Sequence, residues 1–404
     1  MNSLWQWTVA GVFLGLALTG CRRSGGEREP EITGRRSDPP LTLPTEWKPG
    51  FRYLLRLDMT VNTDSETGRG EEELHSVVLG QDFAVTVTNL YPDGRRKLEI
   101  EILAIDMQRS KGSDVALMYD SASQGEVTDL HGFIPVLNRL IGGRVRVTVT
   151  PEGKAGRVEG VSQLMAAGVN STGPSRTLRR LADGTLLTNL VAAPTNQPIV
   201  RRSATASAIR NLFTTEFFRQ LVEINYAPGH AIRVGDQWKA SRDFYFNSTV
   251  GQLTAETTTT FRGWQKQAQP DGMRPCARLE LEADLAAKPT PLPALAALTN
   301  ALTRGTNAPV PTAPADGAFE KGVLHGTVWI DPELAFPITR QFSQSVSYTS
   351  AKQTLVRMEG TNRITQRFGK KVDQSTTLRL TRVDPVAGPP AAVETLEKEE
   401  APSE

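Results

Sequence analysis

Cysteine and histidine are scarce in this chain of 404 residues, which holds two of the first and four of the second. Two cysteines leave no room for a disulfide framework or a multi-cysteine zinc site. His75, His131, His230 and His325 are widely separated, and no pair has the i,i+4 spacing of a His-Glu-x-x-His metal helix. An excess of one charge is also missing: the net charge is +2, which gives no support to nucleic acid as a partner. The apolar run from Thr8 to Leu18 is eleven residues long, too short for the roughly 20 that cross a bilayer as a helix. No Gly-x-Ser-x-Gly elbow anchors serine hydrolase chemistry. Gly153-Lys154 lacks the Ser/Thr and the upstream glycine of a phosphate loop. No cofactor or metal site is therefore expected. What remains is ordinary globular material, 39% hydrophobic and 22% charged, long enough for two or three domains.

The apolar run fits the hydrophobic region of a secretory signal and ends in Leu18-Thr19-Gly20-Cys21. Those residues resemble the lipobox of bacterial lipoproteins. The resemblance implies cleavage before Cys21, a diacylglyceryl group on its sulfur and acylation of its freed amine. The partner so implied is a membrane, held through lipid without a spanning segment. By the family's sorting rule, Arg22 in place of aspartate after the cysteine implies an outer membrane, if the cell has one. The competing explanation is an apolar stretch with a chance cysteine; Arg22 and Arg23 directly after Cys21 oppose translocation.

Residues 21–47 carry Gly25-Gly26, Pro30, Pro39-Pro40 and Pro44 and are expected to form a lipidated, disordered tether. From Gly50 the pattern turns to strands. Phe51, Tyr53, Leu55, Leu57, Met59 and Val61 occupy alternate positions, the period of a strand with one buried face. Tyr91-Pro92-Asp93-Gly94 has turn chemistry and leads into Leu98, Ile100 and Ile102. Asp129, an N-cap residue, precedes a short helical pattern closed by Gly142-Gly143. Val145, Val147 and Val149 alternate again. The spacing of Ile209, Leu212, Phe213, Phe217, Leu221 and Ile224 predicts an amphipathic helix of about six turns. Alternation resumes from Trp238, with Pro270-Asp271-Gly272 before Ala277, Leu279 and Leu281. The two Pro-Asp-Gly turns point either to an internal duplication or to two independent hairpins.

The expected fold is therefore mainly β (α+β): long antiparallel strands as two curved-sheet lobes or a half-barrel, with a helical middle section. The expected boundaries are a signal peptide at 1–20, the lipidated tether at 21–47 and a first β-rich lobe at 48–160. A helical section follows at 161–231, then a second β-rich lobe at 232–384 interrupted by a Pro/Ala/Thr-rich insertion at 286–316. An acidic disordered tail closes the chain at 385–404.

Gly50-Phe51-Arg52-Tyr53, Tyr119-Asp120-Ser121, Val149-Thr150-Pro151-Glu152-Gly153, Val234-Gly235-Asp236-Gln237-Trp238 and Gly326-Thr327-Val328-Trp329-Ile330-Asp331 together resemble an uncharacterised family of bacterial lipoproteins and envelope proteins. That resemblance implies a cell-envelope location and lends no catalytic residue. The combination of long strands and one amphipathic helix is also similar to half-barrel lipoprotein carriers, in which a curved sheet encloses an apolar cavity.

Asp120, Ser121, Asp129 and His131 form the nearest approach to an acid–base cluster, but Asp and Ser are also the usual residues at strand ends and helix caps. Arg176, Arg179, Arg180, Arg201 and Arg202 are the one basic cluster and fit a solvated face. Cys276 is expected to be a buried thiol without a nucleophilic role. The favoured expectation is non-catalytic binding of an apolar ligand or envelope component, with Cys21 the single site residue and lipidation its role. A structural or protein-interaction lipoprotein is the alternative; an enzyme with a dispersed active site ranks last.

Overall fold

The computed structural model describes residues 31–66, 72–122, 128–129, 133–170, 175–180, 186–191, 212–247, 250–269, 272–288, 317–359 and 362–386. The signal region with Cys21, His131, Arg201 and Arg202, nearly all of the 286–316 insertion and all but the start of the acidic tail lie outside these residues.

The strands are β1 (Phe51–Glu66), β2 (Glu72–Leu90), β3 (Arg96–Lys111), β4 (Asp114–Asp120), β5 (Thr128–Asp129), β6 (Arg144–Val149), β7 (Ala155–Glu159), β8 (Ser175–Arg180), β9 (Leu186–Val191), β10 (Gln237–Asn247), β11 (Gly251–Gln269), β12 (Gly272–Ala287), β13 (Gly317–Asp331), β14 (Phe336–Glu359) and β15 (Asn362–Pro385). The helical elements among the described residues include α1 (Ile134–Leu140), α2 (Val161–Asn170) and α3 (Thr215–Val222). Mainly antiparallel β structure is what the alternation predicted.

The two stretches of strands merge into one open sheet, ordered β10-β11-β12-β13-β14-β15-β1-β2-β3-β4-β5. The seam is β15 against β1, which pairs residues from opposite ends of the chain, such as Leu57 with Leu378. The sheet forks at β3. Its first half, Arg96 to Glu101, pairs with β6; its second half, Asp106 to Lys111, pairs with β4. At the fork Leu103, Ala104 and Ile105 are buried in succession, because both faces of the strand are covered there. The Tyr91–Gly94 turn forms as its residues dictate: Gly94 takes φ +83° and its N–H donates to the Tyr91 carbonyl at 3.0 Å.

Three features differ from the sequence expectations. The middle section is not wholly helical; it includes the β8–β9 ribbon. The helix expected over 203–224 is broken among the described residues: Leu212 is helical, Phe213 and Thr214 are not, and α3 runs for eight residues from Thr215. Thr214 starts it by accepting the Phe217 N–H at 3.1 Å, and Glu223 is already extended. Phe213 and Ile224 are buried beside it in non-helical backbone. The tether expected at 21–47 docks from residue 31 onward. Thr33 bridges to Trp264 and Leu41 to Ile232, while Leu43 and Trp47 are buried. Prolines hold this strap extended, and extended backbone can lie across a sheet.

Candidate functional site

The register across the seam assigns one face of the sheet residue by residue. Leu57, Leu378, Arg340, Val328, Leu279 and Phe261 form one rung through successive pairings. Met59, Thr376, Phe342, Gly326, Leu281 and Thr259 form the next. Gln374, Gln344, Leu324, Ala283 and Thr257 follow in the same register. Most of these residues, with α3, border a single cavity of about 180 Å³. Its walls come from the seven consecutive strands β10 to β15 and β1. Laid flat, seven strands span about 29 Å between the outer axes. For all of them to border one small space the sheet must curl around α3, so this face is concave.

Most of the lining is apolar: Leu57, Met59, Phe217, Leu221, Phe244, Leu281, Leu324, Phe342 and Leu378 all contribute. Gly326 shapes the floor, because a Cβ there would lie 2.5 Å from the Phe342 ring. The missing side chain gives that ring room on the sheet.

Helix α3 is held over the cavity by its C-terminal carbonyls, which a helix leaves without internal partners. Trp47 Nε1 donates to the Val222 carbonyl at 3.0 Å. Arg340 Nη2 donates to the Leu221 carbonyl at 2.8 Å, and Nη1 to that of Glu223 at 2.8 Å. The Ile224 N–H donates to the Gly153 carbonyl at 3.1 Å, tying the same end to the Pro151–Lys154 turn. Arg242 stands at the rim and pairs with Glu223 at 2.5 Å and Glu216 at 3.5 Å. Burial raises the Glu223 carboxyl above its ordinary range, against the opposing pull of Arg242.

Of the expected acid–base cluster, Asp120, Ser121 and Asp129 have other employment, and His131 lies outside the described residues. Asp120 Oδ1 accepts the Ala122 N–H at 2.8 Å. Ser121 Oγ accepts the Ile105 N–H at 2.9 Å. Asp129 caps α1 from a distance, accepting the Phe133 and Ile134 N–H groups at 2.8 and 3.0 Å; Phe133, not Asp129, occupies the cap position itself. Cys276 is fully buried, and burial pushes its thiol up to about 12, with Asp331 adding to the shift. Among the described residues no group of three or more His, Cys, Asp and Glu is placed to hold a metal ion. Among them, too, no helix is long and apolar enough to cross a membrane.

Sequence reading missed Arg340, Gln344 and Gln374. The signal was present: Ile338, Phe342, Val346 and Tyr348 set the inward parity of β14, and Arg340 and Gln344 interrupt it. A polar residue on a buried face is more informative than an apolar one.

No family model and no curated protein sequence matches the chain. Among solved structures, lipovitellin, described for its lipid–protein interactions, aligns with 86% of this chain at 10% identity and a TM-score of 0.37; the chain spans 27% of lipovitellin's length. A candidate exported protein with a YMCC-like fold from Bacteroides fragilis aligns over 85% of this chain and 100% of its own, at 10% identity and a TM-score of 0.23. A candidate lipoprotein from Parabacteroides distasonis aligns over 85% and 99%, at 8% identity and a TM-score of 0.25.

Proposed function

We propose that this chain is an exported lipoprotein, acylated at Cys21 and moored to a membrane of the bacterial envelope, that holds a compact apolar ligand in its concave cavity without catalysis. The observation that carries the binding half is the cavity itself. A space of about 180 Å³ on the concave face under α3, partly open to solvent and lined mostly by apolar side chains, has the character of a small-molecule pocket. An apolar cavity of about 150 Å³ accepts benzene. By that measure this one suits a group of roughly six to eight carbons, far less than a whole diacyl lipid. The hydrogen bonds of Asp120, Ser121 and Asp129 account for those side chains without chemistry.

The anchoring half rests on Leu18-Thr19-Gly20-Cys21. Each buried acyl CH₂ contributes about 0.8 kcal/mol, and stable anchoring needs more than one chain; a triacylated cysteine meets that condition. An outer membrane is the expected address, from Arg22.

Protein purified from its native host and extracted with organic solvent should release an apolar compound at near-stoichiometric amount. Ala255→Phe, which fills the cavity from β11, should remove it. A clean extract from the parent protein, or an unchanged one from the variant, overturns the binding half. Cys21→Ser should abolish acyl labelling and move the protein to the soluble fraction; unchanged labelling and fractionation overturn the anchoring half.

The alternative, a lipoprotein that presents a surface to an envelope protein, is favoured by one observation. Leu74, Val78, Val115 and Met118 are exposed close together on β2 and β4, with Val78, Gln108 and Met118 in one register line. Crosslinking in cells should then recover a reproducible partner that Val78→Lys prevents.

A further inference from the structure

The cavity wall has a chemical asymmetry. Arg340 is 1% exposed, so its guanidinium is a charge withdrawn from water. A buried charge is costly unless it is paired and hydrogen-bonded. Its Nη atoms are used on the Leu221 and Glu223 carbonyls, and Nη1 also lies 3.5 Å from the Tyr226 hydroxyl. These partners are all neutral. The Glu223 carboxylate senses the charge, but it is bonded to Arg242 at 2.5 Å. Among the described residues no carboxylate forms an ion pair with Arg340. Its Nε is buried without a hydrogen-bond partner, and so is Nε2 of Gln344, which lines the same wall. Both unpaired atoms are donors. These two donors of the wall therefore lack an acceptor, and Arg340 lacks a paired negative charge; Gln220, Tyr226, Arg242, Thr257, Gln374 and Thr376 are the other polar residues of a mostly apolar lining.

We infer that the ligand is a single-chain amphiphile with an anionic oxygen head, a carboxylate, which lies at Arg340 while its apolar tail fills the space beneath α3. This rests on the apolar-ligand reading above and adds the head group to it. A carboxylate supplies both missing features at once: an acceptor for Nε and a counter-charge for the guanidinium. An alcohol supplies an acceptor alone. A hydrocarbon supplies neither and would leave both donors unpaired.

The test uses the full chain, stripped of bound lipid, with isothermal titration calorimetry as the readout. The probes are octanoate, methyl octanoate and 1-octanol, which share a tail and differ in the head. Octanoate should bind at least about tenfold more tightly than either neutral probe, the effect of one hydrogen bond to a charged group. Arg340→Gln, checked for folding by circular dichroism, should bring the three within about twofold. Equal binding of all three to the parent protein overturns the head-group assignment and leaves the apolar-ligand reading standing. Methyl octanoate matching octanoate overturns the requirement for charge. No binding of any of the three overturns the apolar-ligand reading, and this inference with it. If Arg340→Gln fails to fold, the three probes on the parent protein decide the matter alone.

Discussion

Replacing Trp47 tests whether the strap is part of the folded body. Its indole is 1% exposed, makes edge contacts with Tyr53 and Phe336 at centroid distances of 4.8 Å, and donates to the Val222 carbonyl at 3.0 Å. Trp47→Ala removes the ring, leaves a cavity among buried aromatics and strands that carbonyl; large-to-small changes of this kind cost about 3–5 kcal/mol. Trp47→Phe keeps most of the apolar area and loses the donor. An unsatisfied buried carbonyl costs about 1–3 kcal/mol, so the phenylalanine variant should fall between parent and alanine. Urea unfolding followed by circular dichroism reads both: the midpoints should order as parent, Trp47→Phe, Trp47→Ala, at similar m-values. A Trp47→Ala variant within about 0.5 kcal/mol of the parent, the range of an ordinary surface change, would refute the claim that the strap clamps α3.

Gly263→Ala should release the other end of the strap, because a Cβ there would lie 2.3 Å from the Thr33 carbonyl and the backbone φ is +123°; trypsin should cut at Arg35 and Arg36 faster than in the parent, and unchanged cleavage would count against the docked strand. For Glu223, burial raises the folded-state value above the ordinary 4.5. Its contribution to stability is therefore full below about pH 4.5 and is lost as pH rises through the folded value. The fall in melting temperature from pH 4.5 to 7 should be shallower in Glu223→Gln than in the parent, and parallel curves would contradict the assignment. Cys276, fully buried with its thiol pushed up to about 12, should react with a thiol reagent only on unfolding; prompt modification of the native protein would show the site open.

Much of the sheet was legible because strand alternation and turn chemistry are local. Tyr53, Leu55, Leu57 and Met59 alternate and are buried, and the Pro92-Asp93-Gly94 turn needs only its own residues. The helix expected over 203–224 is broken at Phe213–Thr214 for a physical reason. Helical spacing cannot separate residues that are helical from flanking residues buried by other means, and Phe213 packs on Phe217 at 5.8 Å from outside the helix. Thr214, a good N-cap, was the stop signal for that pattern. The strap failed because proline and glycine content describes the backbone's reluctance to form helices, not where it lies; Leu41, Leu43 and Trp47 were its apolar anchors.

The site was the least legible part, since it is made by the pairing of β1 with β15. Leu57 and Leu378 are 321 positions apart in the chain, yet they are register partners, and no local pattern reports such a neighbour. Parity along a single strand carries more. Once Ile338, Val346 and Tyr348 define the buried side of β14, Arg340 must face the same side, and a charge placed there has to find partners from elsewhere. Two of them are the carbonyls at the end of α3. The same arginine thus fixes the helix that roofs the cavity and forms part of the cavity wall. A substitution at Arg340 should for that reason affect helix position and head-group preference together, whereas Gln344→Leu, which touches no helix carbonyl, should change binding while leaving α3 in place.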